Sequence, residues 1–380
     1  MHIESRLPDV GTTIFTVMSR MALECGAINL SQGFPDFDID PDIIRRVSHF
    51  MQEGFNQYAP MAGAPALREA IAKTVSRTYN RAVDPETEIT ITAGATQAIF
   101  SCVAAFVRPG DEVILFDPCY DSYDPSVRLN GGIPIHINLH YPAFSPDWDE
   151  VRKRITPRTR MIIINTPHNP LGTILSENDL RELEKIAVEH NLVVVSDEVY
   201  ERLVYDGLTH QSVLRFPGLA SLSLACFSFG KTFHATGWKV GYIAGAKHLM
   251  NEVRKAHQYI VFSVNTPVQL ALASYLEDPA HVEGLGKFYQ AKRDFFLEQI
   301  KGSSLEPLKS SGSYFQLFSY ANVDNCGDVE MAERLTREFK VASIPVSVFY
   351  RDNSDHKLLR FCFAKKEETL EKAGKILRNI

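Results

Sequence analysis

At 380 residues, with 45% hydrophobic and 23% charged side chains, the chain is too long for one simple core and suits two folded units of ordinary globular composition. A net charge of −6 gives no electrostatic footprint for nucleic acid or an anionic membrane, and no apolar run approaches a membrane span. The six cysteines are scattered, with no Cys-x-x-Cys pair, so neither a disulfide framework nor a metal site is expected; with no apolar signal core in MHIESRLPDVGTTIF, the expected compartment is the cytoplasm.

The first 45 residues read as loop-rich and are expected to pack against the C-terminal part. Within them SQGFPDF (31–37) sets Gly33 where backbone can approach a ligand. From residue 88 the pattern becomes regular. EITITA (88–93) reads as a strand and Ala95 to Val107 as an apolar helix. Between them, TAGATQAIF places small residues, Ala95 and Thr96, at a helix start, where free N–H groups and the dipole suit an anion; the same string also reads as a plain strand–helix turn. EVILFD (112–117) is a further strand. After it, FDPCYDSY brings Tyr120 to the strand mouth, as a stacking surface for a flat ligand or as a core tyrosine.

RMIIIN (160–165) is a strand followed by NTPHNPLG, an irregular loop in which Asn169 can donate to an oxygen, or simply mark an Asn-Pro turn. SENDLRELEKIAVEHN (176–191) is an amphipathic helix opening with Ser176 and Asp179 in a capping box. VVVSDEVYERL then carries Asp197 at the end of a very apolar strand. A carboxylate there is costly unless it meets a cation, such as a pyridinium N–H, or caps a helix; Tyr200 follows three residues on.

The strand SLSLACFS ends in FSFGKTFHATGWKVGY (227–242), which delivers Lys231 to the rim of a sheet. A partly desolvated amine there loses preference for its charged form and can form a Schiff base; Ser228 and Lys239 add a hydroxyl and a cation suited to a phosphate. The Walker-type phosphate loop does not apply, because position 225 is Ala225. YIAGA closes this series. Continuous apolar strands alternating with helices predict a mainly parallel sheet covered on both faces, with ligand at the carboxyl ends of its strands.

From about residue 281 the pattern changes to a charged helix (281–301), GSYFQLFSY, the helix DVEMAERLTREF, the strand VASIP, the strand KLLRFCFA and a last helix after Lys365. Alternation in KLLRFCFA sets Leu359, Phe361 and Phe363 on one face and Leu358, Arg360 and Cys362 on the other. Arg360 on a buried-looking strand requires an anion, from the protein or from a substrate carboxylate. The expected architecture is therefore an α/β protein with a large unit, 46–280, and a smaller α+β unit made of 281–380 with the segment 1–45.

In order and spacing, NTPHNPLG, SDEVYE and SFGKTFHATGWKVGY, together with GFPDF and NQYAPMAGAPALREAI, resemble the class I/II aminotransferases of fold type I, enzymes of pyridoxal 5'-phosphate (PLP). Within that family, TTIFTVMS, FDPCYDSYDPSV, HQYIVFSVNTP and IPVSVF are similar to bacterial methionine aminotransferases, and next to kynurenine and glutamine transaminases. The resemblance implies that Lys231 holds PLP as a Schiff base, Asp197 pairs with the pyridine nitrogen, and Asn169 and Tyr200 bind the phenolate oxygen. It gives the phosphate to Ala95, Thr96, Ser228 and Lys239, ring stacking to Tyr120, and the substrate carboxylate to Gly33, Asn169 and Arg360. Tyr58 corresponds to a tyrosine that reaches the neighbouring subunit's phosphate, implying a homodimer. Lys239 stands where many relatives have arginine, Leu171 replaces a common threonine, and no second arginine marks a side-chain carboxylate.

The implied reaction moves the α-amino group of methionine, or of aromatic and other uncharged amino acids, to a 2-oxo acid by a ping-pong route. Phe15, Tyr58 and Phe262 are candidate walls of an apolar substrate pocket. Two alternatives use the same residues or the same fold. One is a kynurenine/glutamine transaminase with cysteine-conjugate β-lyase activity; the other is a PLP-binding sensor joined to a DNA-binding module, for which neither the charge nor the start of the resemblance leaves room.

Overall fold

The computed structural model describes residues 4–380. Its centre is a seven-stranded sheet, in the order Ile89–Thr92, Gly241–Gly245, Ser223–Ser228, Val193–Asp197, Thr159–Asn165, Glu112–Asp117 and Ile133–Asn138. Gly241–Gly245 alone runs against its neighbours; the remaining strands share one direction. The apolar runs explain this layering. In successive strands Ile114, Ile162, Val194 and Ala225 enter one core, while Val113, Met161, Val193 and Leu224 enter the core on the opposite face. A period of two in which both phases are apolar requires helices on both sides. The capping box at Ser176 forms as its sequence indicates, with the Asp179 backbone N–H donating to Ser176 Oγ and the Ser176 N–H to Asp179 Oδ2.

A second core surrounds a four-stranded sheet, ordered Ile344–Pro345, Leu358–Cys362, Phe315–Ser319 and Glu306–Pro307, all antiparallel. Leu359 and Phe361 point into this core, whereas Leu358, in phase with Arg360, joins the core of the large sheet. Alternation therefore turns Arg360 toward the junction of the two units.

Three details depart from the sequence reading. The first 45 residues are less loop-like than expected: Ile14–Cys25 is a helix capped by Thr13, and its Met18 and Met21 pack into the second core. The boundary expected at 45 falls inside the helix Pro41–Gln52, which packs on Thr266–Tyr275. VASIP divides between two sheets: Val341–Ala342 pairs parallel with Ile28–Asn29, and Ile344–Pro345 forms an edge, the position that suits a proline with no N–H to give.

Candidate active site

Three neighbouring strands end at one place. Asn165 and Asp197 sit side by side at the carboxyl ends of theirs, and Cys226, in register with Asp197, lies just before the short helix Phe229–Thr232 that carries Lys231. Beyond these ends lies a cavity of about 280 Å³. Phe15, Gly33, Ala95, Thr96, Tyr120, Asn169, Asp197, Tyr200, Ser228, Lys231, Lys239 and Arg360 all line it. The structure thus brings together residues spread from 15 to 360. It leaves out two. Tyr58, 80% exposed, and Phe262, 47% exposed, pack edge to face at 5.1 Å and do not line the cavity; Phe262 is therefore not a wall of this pocket within a single chain, because both rings lie at the exposed surface, outside the lining.

Lys231 is half-buried, with its amine at the cavity. Nζ donates to the Gly33 carbonyl at 3.1 Å and to Tyr314 OH at 2.8 Å. Burial brings its pKa down to about 8, so near neutral pH roughly a tenth of this amine is unprotonated, far more than for an ordinary lysine. Asp197 is almost fully buried, and burial pushes its carboxyl up to about 6. Tyr123 OH donates to Asp197 Oδ2 at 2.6 Å and the Val199 N–H to Oδ1 at 3.3 Å, both favouring the carboxylate. Asn169 is fixed by its own N–H, which donates to Asn165 Oδ1 at 2.7 Å, and Asn165 Nδ2 in turn donates to the Asp197 carbonyl at 2.9 Å.

Arg360 is fully buried and opposes this set from the small sheet. Nη1 donates to Asn169 Oδ1 at 2.7 Å and Nη2 to the Ser31 carbonyl at 2.8 Å, while the guanidinium lies 3.9 Å over the Phe315 ring. Both acceptors are neutral, and among the described residues Nε is buried without a partner. Burial lowers its pKa to about 10. A buried cation held only by neutral oxygens is a strong site for a carboxylate.

On the opposite side the helix Ala95–Phe106 begins at Gly94 with no side-chain cap, leaving its first N–H groups free toward the cavity. Gly94 has φ +79°, and a Cβ there would come within 3.2 Å of Lys239 Nζ. Lys239, itself exposed and at φ +53°, thus lies across the helix start, where Ser228 also lines the wall. Tyr120 is half-buried, its hydroxyl pushed up to about 12 by burial.

Two contributors were not singled out in the sequence. Tyr123 stands in the same FDPCYDSY string as Tyr120, one helical turn on, and its signal was the spacing alone. Tyr314 lies behind Lys231 at the entrance of a strand of the other unit; nothing local distinguishes it from the neighbouring core aromatics.

The donor set fits PLP. One amine faces the cavity, one buried acid lies at the base, free helix N–H groups and a lysine form an anion cradle, and an arginine with an unpaired edge closes the other side. The sequence matches the aminotransferase class I and II family over residues 26–377. The chain belongs to the class I and II aminotransferases, enzymes of fold type I whose cofactor is PLP. It is 49% identical over 378 residues to the methionine aminotransferase of Escherichia coli, covering 99% of this chain and 98% of that protein. A solved E. coli structure reported to have a methionine aminotransferase function superposes with a TM-score of 0.98, at 48% identity over 100% of both chains. Kynurenine–oxoglutarate transaminase 3 of Mus musculus is 33% identical, covering 98% of this chain and 89% of that protein. Among the described residues no helix is long and apolar enough to cross a membrane.

Proposed function

We propose that this aminotransferase uses methionine, with aromatic and other uncharged amino acids, as donor and a 2-oxo acid as acceptor, in two half-reactions of ping-pong type. The observation that carries the donor reading is the charge of the lining. Among the described residues its cations are Lys231, Lys239 and Arg360; the cofactor takes the two lysines and one substrate carboxylate the arginine, so none remains for a second substrate carboxylate. Phe15, beside Arg360, supplies apolar surface for a thioether or ring. The similarity to a methionine aminotransferase supports the same reading.

In this proposal Lys231 holds the cofactor, Asp197 faces the pyridine nitrogen, and Asn169 and Tyr200 bind the phenolate oxygen. The Ala95 and Thr96 N–H groups, Ser228 and Lys239 hold the phosphate, and Tyr120 covers the ring. When bound, PLP supplies an aldehyde for the amine and a protonated ring that accepts electron density. Arg360, Asn169 and the Gly33 backbone orient the donor by its carboxylate, setting the α-hydrogen before Lys231 Nζ. The freed Lys231 Nζ, its pKa lowered by burial, would take the α-proton of the donor and hold it for return within the site; a positioned base of this kind contributes ~10²–10⁴ in rate. The exposed Tyr58 reaches the partner site of a homodimer, and the six free cysteines suit a reducing cytoplasm.

Half-reaction spectra with a panel of amino acids test the donor. Methionine and phenylalanine are expected to convert the cofactor far faster than aspartate; aspartate outrunning both would overturn the reading. Pyruvate release from a cysteine conjugate without an oxo-acid acceptor would favour the β-lyase alternative.

A further inference from the structure

The Lys231 amine is held from behind, by groups that do not belong to the proposed cofactor set. Tyr314 is fully buried, does not line the cavity, and presents its hydroxyl 2.8 Å from Lys231 Nζ. The same hydroxyl donates its one proton to the Gly33 carbonyl, which also accepts from Lys231 Nζ at 3.1 Å. Tyr314 therefore meets the amine with an oxygen lone pair and not with a hydrogen.

An unprotonated amine has two N–H bonds, one bond to carbon and one lone pair. With both N–H bonds committed to Tyr314 and Gly33, the lone pair takes the remaining tetrahedral direction. We propose that Tyr314 and the Gly33 carbonyl form a bracket that parks the free Lys231 amine between its two tasks, making Tyr314 a positioning residue for proton transfer. This rests on the aminotransferase reading of the site, since only there does the lysine spend part of each cycle free.

The bracket spans the junction of the two units. Tyr314 precedes the strand Phe315–Ser319, Gly33 comes from the N-terminal segment, and Lys231 from the large sheet. The Tyr200 ring packs edge to face on Tyr314 at 4.9 Å, and Phe315 packs on it at 4.9 Å, so the hydroxyl has little freedom to turn away. The charged and titratable groups around the pair are Asp197 and Lys239 from the large sheet, Arg360 and Cys362 from the small sheet, and the phenols of Tyr200 and Tyr289. Removing the Tyr314 oxygen leaves every one of these groups in the protein, and of them only the Tyr200 phenol, which hydrogen-bonds to Tyr314, loses a partner.

The sign follows from the hydrogen count. An oxygen that accepts from Nζ favours the ammonium, so its loss lowers the titration midpoint of Lys231. The test uses the cofactor-free protein and peptide-resolved mass spectrometry of trace acetylation at Lys231 across pH. Tyr314→Phe is expected to lower the Lys231 midpoint by about one unit. Tyr289→Phe, which removes a neighbouring buried phenol bonded to His234 Nδ1 at 2.8 Å, is expected to leave it in place. Difluorotyrosine at 314 keeps the hydroxyl as a weaker acceptor and is expected to give a smaller shift in the same direction, a comparison that holds even where Tyr314→Phe folds poorly.

In the PLP-loaded enzyme, Tyr314→Phe is expected to slow exchange of the donor α-hydrogen with solvent about tenfold while donor binding stays within twofold. Equal Lys231 midpoints in wild type, Tyr314→Phe and the difluorotyrosine protein would overturn the bracket. A wild type that bound no PLP and exchanged no α-hydrogen would instead overturn the functional reading, whatever the midpoint.

Discussion

The two sides of the cavity are finished differently. At the ends of the central strands of the large sheet the polar groups satisfy one another before any ligand arrives: Asp197 has Tyr123 and the Val199 N–H, and Asn169 is tied through Asn165 back to the Asp197 strand, so that on this side only the uncapped helix start at Ala95, with Lys239 across it, is left open for the cofactor's phosphate. On the small-sheet side Arg360 is fully buried with Nε unpaired and only neutral oxygens at its other nitrogens. A preorganised wall suits a resident group, which stays. A wall that keeps an unmet charge suits a visitor that brings the opposite charge and leaves with it. This contrast accords with PLP on the one side and substrate carboxylate on the other, and it can be tested by breaking each side in turn.

The largest effect is expected on the large-sheet side. Lys231→Ala removes both the tether and the base, and steady turnover is expected to fall by at least about 10³-fold, with loss of the visible absorbance of the tethered cofactor. Wild-type turnover in this variant would end the assignment. Next comes Arg360→Lys, which keeps a cation but replaces a planar fork by a point charge. Its kcat/KM for methionine is expected to fall about 10²-fold, roughly 3 kcal/mol. The absorbance of bound cofactor is expected to stay unchanged. A variant that instead lost cofactor would erase the distinction between the two walls.

The same contrast governed what could be read from the chain. Asp197, Lys231 and the start at Ala95 were legible because each follows an apolar strand or opens an apolar helix. In such a sheet a polar residue just past the strand marks the ligand end. Arg360 was legible for a related reason: alternation showed it buried, and burial demanded an anion. What could not be read was pairing across the junction. Tyr314 sits one residue before a strand of the other unit, and its contact with Lys231 depends on how the two units dock, which no local period encodes. Phe262 departs the other way, lying outside the cavity of its own chain. An aromatic in a suitable string became a surface ring beside Tyr58, because its backbone at φ +69° sits in a turn after the helix Lys247–Ile260. The reversed strand Gly241–Gly245 was likewise invisible, since an apolar run carries no direction.

The junction itself contains a third point of attack. His136 Nδ1 lies 2.9 Å from Asp117 and Nε2 3.1 Å from Asp124, while the Arg351 N–H of the small unit donates to Asp117 at 2.8 Å. Burial opposes the charge on His136, but hydrogen bonds to the two carboxylates outweigh it and bring the pKa up to about 9. Because this folded value exceeds the unfolded one of roughly 6.5, the stabilisation is complete below that pH and fades as pH rises through about 9. His136→Gln is expected to cost on the order of 2 kcal/mol at pH 6 in urea unfolding and little at pH 10. A cost that grew with pH would reverse the assigned charge.

The smallest effect tests whether the cavity is complete within one chain. Tyr58 is 80% exposed, packed edge to face on Phe262 and outside the lining, so in a lone subunit its loss has no route to the site. If it binds the neighbouring phosphate, Tyr58→Ala weakens PLP about tenfold, the worth of one hydrogen bond to a charged group. Mixing decides between a direct and a remote effect. In a hybrid of a Lys231→Ala subunit with a Tyr58→Ala subunit, the second subunit keeps its lysine and borrows an intact Tyr58 from the first. With PLP limiting, an equal mixture that exchanges freely is then expected to recover roughly a quarter of wild-type specific activity, because half the dimers are hybrids and each has one whole site. Activity equal to the sum of the separate variants would confine Tyr58 to its own surface and leave the phosphate to Lys239, Ser228 and the helix start alone.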